Sequence, residues 1–283
     1  VQPLENTDQI LIKSSKIKIR GMSYWRYLLH SKVYARKIIL EDLDVEVVAQ
    51  EKGENPLPAE AVERKERYSE ILIKAFQIKN GRLKARNDRF ETFDFESFTT
   101  EVKHLQYFPN VDSSNVNWKT IAFEGNDFVM NETNKDHFLS IGKLKLNKNE
   151  SLDIKNAKLI PKRSKNDFIK PLTYRKSRID LAIPKLKINR FDAKEIFAEK
   201  KFITDKITLE ELNFNVFSDQ TIPSCPTCIK TYFYEKIGEI DFPINIDSVL
   251  VQNSKVTYEL QKKLNQIYWL PMPGIAAAMR YLR

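Results

Sequence analysis

The sequence predicts a mainly β protein: a long antiparallel sheet of repeated hairpin modules with few short helices. Three observations carry that prediction. The first is alternation. In RIDLAIPKLKINRF, Ile179, Leu181 and Ile183 share one face, and after a phase step at Pro184 the pattern resumes at Leu186 and Ile188. FLSIGKLKLNKNESLDIKNAKLI repeats it with Leu144, Leu146, Leu152 and Ile154. Period two with charged residues between marks strands that are dry on one side and wet on the other, as antiparallel sheets allow.

The second observation is a short motif written three times: IKNGRL at Ile78 to Leu83, IKNAKL at Ile154 to Leu159 and VQNSKV at Val251 to Val256. Asn-Gly between alternating runs is a strong two-residue hairpin signal, because both central residues of a type I′ turn need positive φ. Each copy is therefore expected to reverse the chain. The approaches also match. Ile71, Ile73, Phe76 and Ile78 align with Ile244, Ile246, Val249 and Val251, with a shared slip that marks a bulge.

The third is a longer repeat. IKIRGMSYWRYLLHSKVYARKIILEDLDVEVV, from Ile17, aligns without gaps on LKINRFDAKEIFAEKKFITDKITLEELNFNVF, from Leu186. The slip between Leu40 and Leu43 recurs between Leu209 and Leu212. The unit reads as a strand, a short helix over YWRYLL or AKEIFA, and a bulged strand, and the preserved slips indicate duplication. Residues 1–160 are assigned to a first β-repeat module, 161–177 to a basic linker or rim loop, 178–260 to a second module, and 261–283 to an atypical tail. A closed sandwich or barrel is the alternative that alternation alone favours.

Composition narrows the function. The chain has 283 residues, net charge +9 and pI about 9.3, but its basic residues are scattered between apolar ones and not clustered as in a nucleic-acid footprint. Seven glycines form no phosphate-binding loop, and the three histidines make no metal motif. Carboxylates in LEDLD and LEEL fall on the solvated face, so no catalytic residue, cofactor or metal is expected. Cys225 and Cys228 in SCPTC read as a local disulfide staple, with two free thiols as the other reading. The opening VQPLENTDQI lacks Met and a signal-peptide pattern, so a segment of something longer is expected.

FPINIDSVLVQNSKVTYEL, FITDKITLEELNFNVFSD and SLDIKNAKLIPK resemble the repeating strands of the AsmA-like proteins of Gram-negative bacteria, and IRGMSYWRYLLHSKVYARKIILEDLDVEV resembles their short helix followed by a strand, in a Bacteroidetes-type version. The resemblance covers most of residues 10 to 260. It extends to the wider group of TamB and chorein-type bridge lipid-transfer proteins. It implies a curved sheet open along one side like a taco shell, in a periplasmic protein anchored in the inner membrane that supports outer-membrane biogenesis. The implied cargo is phospholipid, whose acyl chains cover an apolar lining, and the implied partners are membrane or envelope proteins. The expected lining is Ile71, Ile73, Phe76, Ile78, Leu144, Leu146, Ile179, Leu181, Ile183, Leu209, Phe214, Val216, Ile244 and Ile246. The alternative function is a cell-envelope scaffold that uses the sheet as a partner platform. Nucleic-acid binding is a weaker third reading.

Overall fold

The computed structural model describes residues 9–48, 69–86, 90–109, 116–132, 135–148, 150–197, 199–227, 243–261 and 267–271. These residues are mainly β, with three short helices among them, and the sheet is large and open; it does not close on itself as a barrel would. The chain divides into two compact units. The first holds Val1–Thr133 with Leu144–Lys148, and the second holds Asn134–Lys143 with Asn149–Arg283.

Unit 1 contains β1 (Gln9–Lys13), β2 (Lys16–Met22), α1 (Tyr24–His30), β3 (Lys32–Glu41), β4 (Asp44–Val48), β5 (Glu70–Arg86), β6 (Phe90–Tyr107), β7 (Val116–Asn117) and β8 (Thr120–Glu132). β2 pairs with β3 and β1 with β4, both antiparallel. β3 and β4 then lie parallel to the two halves of β5, whose other edge pairs antiparallel with β6, and β6 with β8. The parallel pairs were not anticipated. They require a crossover of a dozen or more residues, which the stretch between Val48 and Glu70 is long enough to supply. α1 falls where the sequence placed it and stops at Ser31, whose φ of 52° is left-handed.

The three Asn motifs do not reverse the chain. β5 runs straight through Asn80, and in unit 2 β10 runs through Asn156. At Asn253 the chain passes from one strand to the next while still following the same pair of parallel neighbours. The reason lies in the dihedrals. A type I′ turn needs two successive residues at positive φ, but only the Asn takes it (φ 53° at Asn80, 55° at Asn156, 48° at Asn253), and Gly81, Ala157 and Ser254 do not follow. One left-handed residue instead kinks the strand and changes the phase of its alternation, while the register with its neighbours is the same on either side of the kink. The aliphatic spacing across each motif is odd, so the kink is what returns Leu83 to the face of Ile78.

Unit 2 contains β10 (Leu152–Pro161), α2 (Lys165–Ile169), β11 (Arg178–Asn189), α3 (Ala193–Phe197), β12 (Phe202–Glu210), β13 (Asn213–Asp219), β14 (Ile244–Gln252), β15 (Lys255–Gln261) and β16 (Ile267–Pro271). The strand β9 (His137–Leu146) is divided between the two units. β10 pairs antiparallel with β11, and β11 with both β12 and β13. β12 and β13 lie parallel to β14 and β15, and β16 closes antiparallel on β15. Pro184 sits between the pairs Lys155–Lys185 and Ala157–Ile183, opposite left-handed Asn156, where its missing N–H disturbs no regular ladder bond. The segment expected to be a basic linker joins β10 to β11 and contains α2, capped by Ser164, whose hydroxyl accepts the Asp167 amide, and pinned by buried Phe168. In the expected tail the end of β15 at Gln261 and the strand β16 are described.

Candidate apolar binding face

Residues opposite one another in a sheet point to the same side, so the registers define apolar rows. In unit 1, Ile19, Ile38, Phe76, Val102 and Ile121 stand side by side on β2, β3, β5, β6 and β8. Beside them run Ile17, Leu40, Ile78, Thr100 and Phe123. Beyond the kinks run Ile12, Val45, Leu83, Phe95 and Phe128, then Ile10, Val47, Ala85, Phe93 and Met130. Ring contacts show that both sides of the kink line share one face. Phe95 touches Phe123 edge-on at 5.6 Å and lies 4.5 Å from Phe128, and Phe98 stacks on Phe123 at 5.8 Å. Gly81 makes room for them: a Cβ there would stand 2.5 Å from the tip of Phe98.

The step from Ile78 to Leu83 is thus repeated on every strand it meets: Ile12 to Ile17, Leu40 to Val45, Phe95 to Thr100, Phe123 to Phe128. Left-handed Asp42 and Asp127 occupy the step on their strands, as Asn80 does on β5. The kinks form a transverse crease that keeps one apolar face continuous. Unit 2 is built alike. Ile154, Leu186, Leu209 and Val251 form one row, and Leu159, Leu181, Phe214 and Val256 the row across the crease, with left-handed Asn156, Glu211 and Asn253 between them.

Of the expected lining residues, Phe76, Ile78, Leu181, Leu209 and Phe214 stand in these rows. Ile71 and Ile73 lie beside Val33 and Ala35, Phe76 and Ile78 as above, Ile183 beside Ala157, and Ile179 beside Val216. Ile244 lies beside Phe202 and Ile246 beside Thr204. Leu144 and Leu146 alternate on β9. All are half-buried except Leu146, which is buried. A sandwich core would bury such a set outright.

Two apolar groups were missed. The phenylalanines Phe93, Phe95 and Phe98 were legible in FETFDFESF, and Phe123 and Phe128 in FEGNDF, where the rings follow the same alternation and slip. The second group lies at the N-terminal edge, where Ile10, Ile12 and Ile17 are 65%, 63% and 62% exposed and Trp25 of α1 is 74% exposed.

Residues of the opposite phase carry the charge. Lys18 pairs with Glu41, Lys148 with Glu101, Lys145 with Glu124, and Lys185 with both Glu210 and Glu211. Hydrogen bonds from Lys148 and Lys32 hold the Glu101 and Glu70 carboxyls below the ordinary range, and those that Lys185 donates to Glu210 and Glu211 raise Lys185. The basic residues of 161–177 are engaged in the same way. Arg163 and Lys176 both reach Asp136, Lys165 reaches Glu259, and Lys170 reaches Asp167. That leaves little of the segment's charge for a phosphate. Cys225 is in a disulfide, and the chain's one other cysteine, Cys228, lies outside the described residues. Among the described residues no group of His, Cys, Asp and Glu could hold a metal, and no helix is long and apolar enough to cross a membrane.

Comparison with known protein families, curated proteins and solved structures gives no match.

Proposed function

We propose that this is a lipid-binding or lipid-conducting β-groove protein of the AsmA-like type, working in the periplasm on phospholipid movement between the inner and outer membrane. The observation that carries the reading is an apolar face kept in phase across each crease yet left half-open. Water in contact with such a face costs about 25 cal/mol per Å², and acyl chains relieve that cost while their headgroups stay in water. The matching registers of the two units support a duplicated module whose function is to extend the face. Alternation and kinks suffice for a conduit, which needs no catalytic group.

The test is native mass spectrometry of the protein purified in mild detergent, with extraction and identification of bound lipid. Phospholipid at defined stoichiometry, lost in Phe76→Asp or Phe214→Asp variants that keep their β circular dichroism, is the expected result. A clean lipid-free mass, with no uptake of offered phospholipid, would exclude the groove. The envelope-scaffold reading, favoured by the edges of β2 and β14 that are unpaired among the described residues, would then take its place.

A further inference from the structure

We propose that the outer edge of β1 and β2 docks an extended polypeptide segment of alternating aliphatic and acidic residues, added antiparallel as β10 is added to β11. The proposal concerns the backbone edge of the strands whose isoleucines end the rows of the apolar face. Its template lies in the same chain. Ile10 beside Val47 in unit 1 corresponds to Ile179 beside Val216 in unit 2, and Ile19 beside Ile38 corresponds to Ile188 beside Ile207. β1 and β2 together are therefore the counterpart of β11.

The counterparts differ on their other edge. β11 is covered by β10, with Leu152 against Ile188, Ile154 against Leu186 and Leu159 against Leu181. β1 and β2 pair only with β4 and β3 among the described residues. Burial follows the difference: Ile188 is 8% exposed, whereas its counterpart Ile19 is 50% exposed. An open strand edge offers unpaired backbone donors and acceptors in register with exposed aliphatic side chains, the arrangement that strand addition satisfies.

Charge decides the occupant. In β10, Asp153 stands opposite Lys187, whose counterpart is Lys18, and Lys155 stands opposite Lys185, whose counterpart is Lys16. Lys158 stands opposite Ala182, whose counterpart is Lys13. A strand in this register meets Lys18, Lys16 and Lys13 in turn, and Lys16 and Lys13 are exposed. Like charges directly opposite one another oppose pairing and opposite charges favour it. The matching segment therefore carries aliphatic residues where β10 has Leu152, Ile154 and Leu159, and carboxylates where it has Asp153, Lys155 and Lys158.

The experiment uses the full chain and a labelled synthetic peptide of residues 151–162 carrying Lys155→Glu and Lys158→Glu, with the unaltered sequence for comparison. Saturable binding by fluorescence anisotropy is expected, roughly fivefold tighter for the acidic peptide at low salt. Hydrogen exchange should slow in β1 and β2 and not in β11. Ile17→Lys and Ile19→Lys, at positions 62% and 50% exposed, should lower the melting temperature only slightly and weaken binding about tenfold. Several results would overturn the proposal. One is no binding at millimolar peptide. Another is binding indifferent to both isoleucine variants but lost in Trp25→Ser, which would move the surface to α1. Protection of β2 without peptide in a concentration-dependent dimer would make the occupant a second copy. Adsorption through the same isoleucines to phosphatidylethanolamine–phosphatidylglycerol vesicles, without peptide uptake, would make it a lipid surface. Phospholipid uptake dependent on Phe76 and Phe214 is read separately and can fail without this result, or this result without it.

Discussion

In unit 1 the crease beside Asp42 is tied by side chains, and in unit 2 the corresponding crease beside Glu211 is tied by others. The Asp42 carboxylate accepts the Ser15 hydroxyl at 2.6 Å and the Asn80 side-chain amide at 2.7 Å, which together hold it below the usual carboxylate range. At the second crease Lys185 bridges Glu210 and Glu211, while the Ser254 hydroxyl accepts the Leu212 amide at 3.0 Å. The backbone bonds beneath are the same. The Asp42 amide donates to Lys79 at 3.0 Å and that of Glu211 to Gln252 at 3.0 Å; Arg82 donates to Leu43 at 2.6 Å and Lys255 to Leu212 at 2.6 Å. The left-handed residues Gly21, Ser31 and Asp42 have the same mutual spacing as Arg190, Lys200 and Glu211. What persists between the units is therefore dihedral geometry, and the side chains that stabilise it are interchangeable.

The units also differ in what fills the apolar face beside the crease. Unit 1 uses interlocked rings, whereas the corresponding rows of unit 2 are mainly aliphatic. The largest expected difference tests this contrast. Phe128 is buried and meets Phe93 edge-on at 5.2 Å as well as Phe95, so Phe128→Ala should cost about 3–5 kcal/mol. Half-buried Phe214 leaves less to lose, and Phe214→Ala should cost roughly half as much. Urea unfolding of both variants measures the gap. Equal losses would mean the ring cluster adds nothing beyond the area it covers.

Acid sharpens the comparison in unit 2. Asp136 accepts from Lys176 and Arg163, and these bonds, Lys176 first, hold its carboxyl below the ordinary range against the opposing effect of burial. A carboxylate whose pKa is lower folded than unfolded stabilises the fold above the unfolded value of about 4, and that contribution is lost as pH falls through the folded value. Melting temperature should therefore drop steadily below about pH 4. Asp136→Asn should lower it at pH 7 and flatten part of the acid limb, because the amide has no charge to lose. An Asp136→Asn profile parallel to wild type down to pH 2 would show that the pairing holds no stability.

The alternation, the short helices α1 and α3, and the slips at Leu40–Leu43 and Leu209–Leu212 were legible because each leaves a periodic trace. The parallel pairing of β3 with β5 and β12 with β14 was not, since half-exposed strands alternate whichever way their neighbour runs. The three Asn motifs misled for a specific reason. Asn before a small residue is suited both to a reversing turn and to a one-residue kink, and the two differ only in whether the second residue also takes positive φ. The odd spacing of the flanking aliphatics does not separate them, because a two-residue hairpin also sets residues five apart opposite one another on one face. The open edge of β1 and β2 was invisible, since Lys16 to Met22 reads the same whether or not another strand lies beside it.

The smallest expected effect isolates the crease itself. Asn80 and Asn253 are both left-handed, a conformation glycine adopts without a Cβ penalty. Substitution by Gly relieves that strain at both sites and makes the unfolded chain more flexible at both, so these effects are common to the pair. What differs is the side chain. That of Asn80 donates to Asp42, whereas the crease at Asn253 is fastened through Ser254 and the Lys185 ion pairs. Asn253→Gly should stay within about 0.5 kcal/mol of wild type, and Asn80→Gly should lose about 1 kcal/mol, the net value of one hydrogen bond. The double variant Asn80→Gly with Asp42→Ala separates the causes. If the bond to Asp42 is responsible, adding Asn80→Gly to Asp42→Ala should cost far less than Asn80→Gly alone. An unchanged cost would place the loss in the backbone at Asn80, and the two creases would then differ in strain and not in the side chains that fasten them.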